Sequence, residues 1–165
     1  MRPASVLREH RLRGWLVAAA VTILAAALRL PNLTHPRTLV FDETYYVKDA
    51  WTLLNLGYAA TWPEEPNPAF EAGQVHTYLE QAAYVVHPDV GKWLIALGQQ
   101  TFGVLSPFGW RISAAVAGIV LALLVTRIGR RLLRSDALGA VAGTAVAVDG
   151  LGIVMSRTGL LDGFL

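Results

Sequence analysis

Cysteine is absent from the 165-residue chain. Disulfides and thiolate metal sites are therefore excluded, and the redox compartment cannot be read. Charge is scarce: 16% of the residues are Asp, Glu, Lys or Arg, where a soluble domain carries about 25%. A strong excess of either sign is also missing, since the formal net charge is only +2. There is no internal repeat and no low-complexity tract. What is abundant is apolar surface, at 54% of residues, gathered into runs. The few cations are grouped. Arg2, Arg8, Arg11 and Arg13 precede the first apolar run, and Arg127, Arg130, Arg131 and Arg134 separate two later ones. Basic clusters flanking apolar runs set membrane orientation, so a lipid bilayer is the expected partner and nucleic acid is not.

The runs predict an all-α integral membrane protein with about three transmembrane helices, at about 15–30, 108–128 and 137–155. The interior of the first, Leu16 to Leu28, is uncharged, and Arg29 can snorkel to the interface. A signal peptide is the alternative reading of a basic start followed by an apolar run. Arg111 lies near one end of the second span and Asp149 inside the third. The positive-inside rule places the N-terminus and the Arg127–Asp136 connection in the cytoplasm. Segment 31–107 and the stretch from Ser156 then lie outside the cytoplasm. The sequence stops at Leu165 within a rising apolar stretch, and the expectation is a piece of a longer polytopic protein forming part of one membrane domain, 1–165.

The long external loop, 31–107, is expected to carry short interfacial helices. Glu43 to Tyr58 reads as amphipathic: Val47, Ala50, Trp51 and Leu54 recur at helical spacing, while Lys48, Asp49, Thr52 and Asn55 face away. Tyr45, Tyr46 and Trp51 suit the lipid headgroup level. Pro63, Pro66 and Pro68 predict a loop over Gly57 to Pro68. Trp93 to Leu105 is apolar but short for a span, and suits a helix lying on the membrane or dipping into it. The Asn32-Leu33-Thr34 sequon is read as chance.

Four groups could do chemistry. Asp42 and Glu43 are adjacent carboxylates at a helix start: either a capping pair stabilised by free amides and the dipole, or a general base at the membrane surface. His87-Pro88-Asp89-Val90-Gly91-Lys92 is either a helix-entry turn or a site for an anion. Arg111 is either an interfacial arginine or a two-pronged phosphate ligand. Asp162 follows Ser156-Arg157-Thr158-Gly159-Leu160-Leu161, a charge leading into an apolar stretch, and Asp149 is a charge inside one. All but Asp149 fall near one face, as transfer from a lipid-phosphate donor to a non-cytoplasmic acceptor would need.

From about Leu28 onward the sequence resembles the bacterial, actinobacterial-type protein O-mannosyltransferases, relatives of the dolichyl-phosphate-mannose–protein mannosyltransferases. Leu39-Val40-Phe41-Asp42-Glu43-Thr44-Tyr45-Tyr46 looks like that family's Asp-Glu motif in the first external loop. His87 to Lys92 looks like its His-Pro-Pro-x-Gly-Lys turn, with Asp89 in place of the second proline. Ser156 to Asp162 is similar to its Ser-Arg-x-x-Leu-Leu-Asp motif. The resemblance implies a C-type glycosyltransferase fold with its active site at the outer face of the cell membrane. It implies polyprenyl-phosphate mannose as donor, Ser or Thr of a secreted protein as acceptor, and inversion by single displacement. A piece of this extent is expected to be inactive alone.

On this reading Asp42 accepts the acceptor proton, a role typically worth about 10²–10⁴-fold. Arg111, then Lys92, stabilises the departing phosphate; Glu43 and His87 orient the site; Asp162 completes it. No cofactor is expected, although related C-type enzymes for other acceptors use a divalent metal, for which Asp42, Glu43 and Asp162 could supply oxygens. Two other readings stay open: a polyprenyl-phosphate-sugar-dependent transferase acting on a lipid or cell-wall glycan, and a non-catalytic membrane protein such as a transporter segment.

Overall fold

A computed structural model describes residues 4–84 and 86–164. Among these, every regular element is helical: α1 (Ala4–Arg29), α2 (Glu43–Leu56), α3 (Pro66–Glu71), α4 (Asp89–Phe102), α5 (Pro107–Leu133), α6 (Asp136–Val148), α7 (Gly150–Ser156) and a closing 3₁₀ turn, Asp162–Phe164. Arg2 and Leu165, invoked above, lie outside the described residues. Two helical stretches, Arg11–Arg29 and Pro107–Leu133, are long and apolar enough to cross a membrane. The pair α6 and α7 makes a third when taken together, bent by 60°. The chain is thus an all-α membrane protein. It divides into two compact units: the chain up to Pro31 with Val116–Val154, and Asn32–Ala115 with the residues from Met155.

The first unit holds the apolar helices, and small residues let them approach. Gly139 and Gly143 form a small-xxx-small pair on α6. A Cβ at Gly143 would lie 1.7 Å from Thr126 Oγ1, and one at Gly139 would lie 2.7 Å from the Arg130 Cβ. Helices in lipid gain little from apolar burial alone, and close backbone approach supplies the dispersion contact instead. Ala25, Ala122 and Ala147 are buried in the same core with Val21. Of the basic connection, Arg127 stacks 3.8 Å from the Trp15 ring centroid, and Arg130 is paired with Asp136.

The third span is broken where Asp149 sits. Asp149 leaves the helix (φ −59°, ψ 117°), and its Oδ2 accepts from Gly152 N at 2.6 Å, starting α7. The carbonyls at the end of α6 are orphaned by the break. Arg29 answers them: it is buried and donates to Ala147 O at 2.8 Å and Val146 O at 3.2 Å. The snorkelling expected of Arg29 is therefore replaced by capping. A cation at a helix C-terminus also favours the dipole.

The second unit packs α2 against α4 around Val47, Ala50, Ile95, Ala96 and Trp110, with Phe70, Leu160 and Leu161. Helix α2 ends at Leu56, two residues before the expected end, and is capped by Gly57 (φ +82°), whose N–H donates to Leu53 O. Its polar face departs from the expectation: Lys48 and Thr52 are buried, as is Tyr46. The Thr52 hydroxyl is satisfied by donating to Asp49 O and accepting from Ala60 N. The chain after α2 folds back over this face, with an isolated antiparallel bridge between Ala60 and Ala82. The prolines at 66 and 68 start α3 instead of breaking it, because the first turn needs no N–H donor. Helix α4 begins earlier than expected, directly after Pro88, and leaves Val90, Trp93, Leu94 and Leu97 exposed along one face. Gly98 passes so close to Gly109 that a Cβ would stand 1.9 Å from the Gly109 carbonyl oxygen.

Candidate functional site

The adjacent carboxylates have opposite fates. Phe41 adopts a left-handed conformation (φ +49°), costly for a bulky residue. Asp42 follows at the N-cap of α2 with no side-chain capping bond, and is exposed. Glu43 is fully buried. Its Oε1 accepts from Arg111 Nε and Gly159 N, each at 2.7 Å. Its Oε2 accepts from Arg111 Nη2 at 2.8 Å and from Val40 N at 3.1 Å. The capping-pair alternative thus fails for Asp42, while Glu43 does reach back to the preceding backbone.

Arg111 is equally enclosed. Beyond Glu43 it donates to the carbonyls of Pro36 at 2.7 Å and of Leu33 and Thr38 at 3.2 Å. A guanidinium has five N–H groups, and these five bonds use them all. The expected role as a free phosphate ligand does not match this geometry: Arg111 wraps segment 33–38 around itself and fixes Glu43. Lys92 departs in the same way. Its side chain is completely enclosed and paired with Asp49 Oδ2 at 3.1 Å and Asp89 Oδ1 at 3.6 Å. Asp89, standing where a second proline was anticipated, opens α4 as a helix-favouring acid and shares that lysine. Burial raises the Asp49 pKa while Lys92 opposes the rise.

The three motifs meet. Gly159 ties the Ser156–Asp162 segment to Glu43. His87, half-buried, sets its ring edge against Tyr46 at 5.6 Å between centroids. His87, Pro88 and Gly91 line a cavity of about 70 Å³ with Leu161 and Phe164. Tyr46 is the residue that sequence reasoning missed, having been assigned to the headgroup level. Its pKa is pushed up, first by burial and then by the charges of Asp42, Asp162 and Asp49. The available signal was spacing: residues 42, 46 and 49 share one helix face. Asp162 is exposed at the 3₁₀ turn. Asp149 belongs to the other unit and serves the helix break. Among the described residues no three His, Asp or Glu side chains gather as a cation site.

An exposed acid beside a buried Glu–Arg pair, joined to two further motifs, invites comparison with known proteins. The family model for dolichyl-phosphate-mannose-protein mannosyltransferase matches residues 19–165. The chain belongs to this family. It is 44% identical over 158 residues to the polyprenol-phosphate-mannose–protein mannosyltransferase of Mycobacterium tuberculosis, covering 94% of this chain and 27% of that protein. The protein of the same name from Mycolicibacterium smegmatis is 42% identical over the same length, with the same coverage. That from Corynebacterium glutamicum is 34% identical over 152 residues, covering 92% of this chain and 27% of the relative. The chain therefore spans about a quarter of the length of these curated relatives. No solved structure matches it.

Proposed function

We propose that this chain carries the general base of a membrane enzyme that transfers mannose from polyprenyl-phosphate mannose to Ser or Thr hydroxyls of secreted proteins. Family membership supports the donor and acceptor classes, since the relatives are named for them. The observation that carries the assignment is the division of the acidic pair: Glu43 has all its lone pairs committed, whereas the Asp42 carboxylate is exposed and uncommitted. Asp42 takes the hydroxyl proton as the oxygen attacks the anomeric carbon, and the configuration inverts. The phosphate leaves from the opposite side as a stable anion and needs no strong acid. Of the expected phosphate contacts, half-buried His87 has no hydrogen bond among the described residues, and Arg111 and Lys92 act behind it as framework. Asp162 and Tyr46 complete the acceptor side. The basic clusters support a cytoplasmic N-terminus and an external site loop in the cell membrane, with the exposed stripe of α4 lying in the lipid interface. The spans and loop together form part of one catalytic membrane domain.

The test is mannose transfer by full-length protein in membranes, from a labelled polyprenyl-phosphate donor to a Ser/Thr peptide. Asp42→Asn should abolish transfer and leave insertion unchanged. Near-normal transfer by that variant would remove Asp42 from the chemistry. Transfer to lipid or glycan alone, by a properly inserted wild type, would remove the protein acceptor.

A further inference from the structure

Within the first unit, the first turns of α1 and the junction of α5 with α6 carry unbalanced charge. Arg11, Arg13, Arg127, Arg130, Arg131 and Arg134 stand there against Glu9 and Asp136. Two contacts bring the helices together. The Arg127 guanidinium lies 3.8 Å from the Trp15 ring centroid. Arg130 rests on the bare backbone of Gly14, where any Cβ would collide with its guanidinium, and pairs with Asp136. Asp136 is thus engaged: Arg13 approaches it only to 3.9 Å, and its side chain stays 79% exposed. Arg11, Arg131 and Arg134 are exposed and form no ion pair among the described residues. Arg127 and Arg131 are one helical turn apart, and like charges at that spacing repel. An anion held among them offsets the repulsion.

The neighbouring surface indicates what kind of anion fits. Leu124, Ile128 and Arg131 recur at helical spacing on α5, the two apolar residues exposed and the exposed arginine ending their stripe. On α1, Leu12, Trp15 and Leu16 make a second exposed stripe, and Trp15 carries the ring that Arg127 covers. Both stripes belong to helices long and apolar enough to cross a membrane. Soluble phosphate would use the cations alone. A phospholipid uses both parts, its phosphodiester on the guanidiniums and its acyl chains along the stripes. Arginine suits the phosphate through paired N–H donors, and arginine clusters at the end of a membrane helix attract acidic headgroups. A choline headgroup would bring one more cation into an excess of them. We propose that this end of the unit binds an acidic phospholipid, with Arg131 and Arg134 as ligands of its phosphate. The site is separate from Asp42, which belongs to the other unit.

The experiment titrates full-length protein in neutral detergent with phosphatidylglycerol and with phosphatidylcholine of the same chains, counting bound lipid by native mass spectrometry. Wild type should bind phosphatidylglycerol at least about tenfold more tightly. Each arginine removed should weaken that binding about fivefold, so Arg131→Gln/Arg134→Gln should weaken it about thirtyfold and leave phosphatidylcholine unchanged. Arg131→Lys/Arg134→Lys, which keeps the charge, should retain most of the preference. Arg37→Gln removes an exposed arginine from the other unit and should have no effect. Should the glutamine pair fail to fold, a salt titration of wild type decides: added NaCl should release phosphatidylglycerol selectively. Equal affinity for the two lipids, an equal loss in Arg37→Gln, or phosphatidylglycerol binding indifferent to salt would overturn the site. Complete displacement of the lipid by inorganic phosphate at equal concentration would assign the arginines to a soluble anion instead, and would overturn the lipid.

Discussion

Replacing Arg111 by leucine separates a framework role from a ligand role. Arg111 makes five hydrogen bonds, two of them to a carboxylate that is itself fully buried. In the variant Glu43 keeps only the Val40 and Gly159 amides. Breaking a buried ion pair by removing one partner costs about 3–5 kcal/mol, because the remaining charge is uncompensated. That corresponds to a rise of roughly a hundredfold or more in opening of the segment that Arg111 holds. Arg37, exposed within that segment, provides the cleavage site for a trypsin assay on full-length protein in detergent, supported by hydrogen exchange at residues 33–43. The companion variant Glu43→Gln/Arg111→Leu removes the stranded charge and should recover a substantial part of the protection, a coupling on the order of 0.5–3 kcal/mol. Native protection at Arg37 in Arg111→Leu, accompanied only by a raised donor KM, would refute the framework role and restore the phosphate-ligand role read from sequence.

Other consequences are direct. Gly143→Val would drive a side chain into Thr126, so α5 and α6 should separate and the melting temperature in detergent should fall; an unchanged melting curve would contradict the close crossing. The Lys48 pKa is lowered to about 8 by burial, against the raising effects of Asp49 and Glu71. Between that value and the ordinary 10.5 the unfolded state binds more protons, so stability should rise with pH across this window. Lys48→Met should flatten the rise, as followed by denaturant unfolding at pH 7.5 and 10. Phe41→Gly relieves a left-handed backbone and should retain transfer, whereas Phe41→Val, stiff and β-branched, should lose it; equal activities would show that this conformation does not aim Asp42.

The parts of the fold legible in the sequence were those written in long-range pattern. Uninterrupted apolar runs and the arginines between them marked the spans, and three motifs marked the segments that converge. Burial of polar side chains was less legible. Lys48 and Thr52 read as a solvent face because their spacing opposes Val47 and Leu54, yet the chain returning through Ala60 covers them. A periodicity argument sees one helix at a time and cannot know what folds over its second face. The broken third span was hidden for a related reason. Asp149 was visible as a charge within an apolar run, but the partner that stabilises the break, Arg29, lies 118 residues from the carbonyl it caps. Prolines 66 and 68 misled because the same residue that ends a helix interior is welcome in its first turn.

Why an adjacent pair of acids should divide its labour follows from helix geometry. Successive residues on a helix point about 100° apart, so adjacent side chains at its start are aimed at different surroundings. Glu43, inside α2, is turned towards Arg111 and receives four donors, which compensate a buried carboxylate as fully as its lone pairs allow. Asp42, one step earlier, is the first residue outside that constraint and stays in contact with solvent. The buried acid fixes the helix start, the loop before it and Gly159 together, and this common anchor holds the free acid in one place. In the role proposed for Asp42, a base that meets a hydroxyl within hydrogen-bond reach would gain from such rigidity, and it could not obtain it from its own bonds without spending the lone pairs that accept the proton.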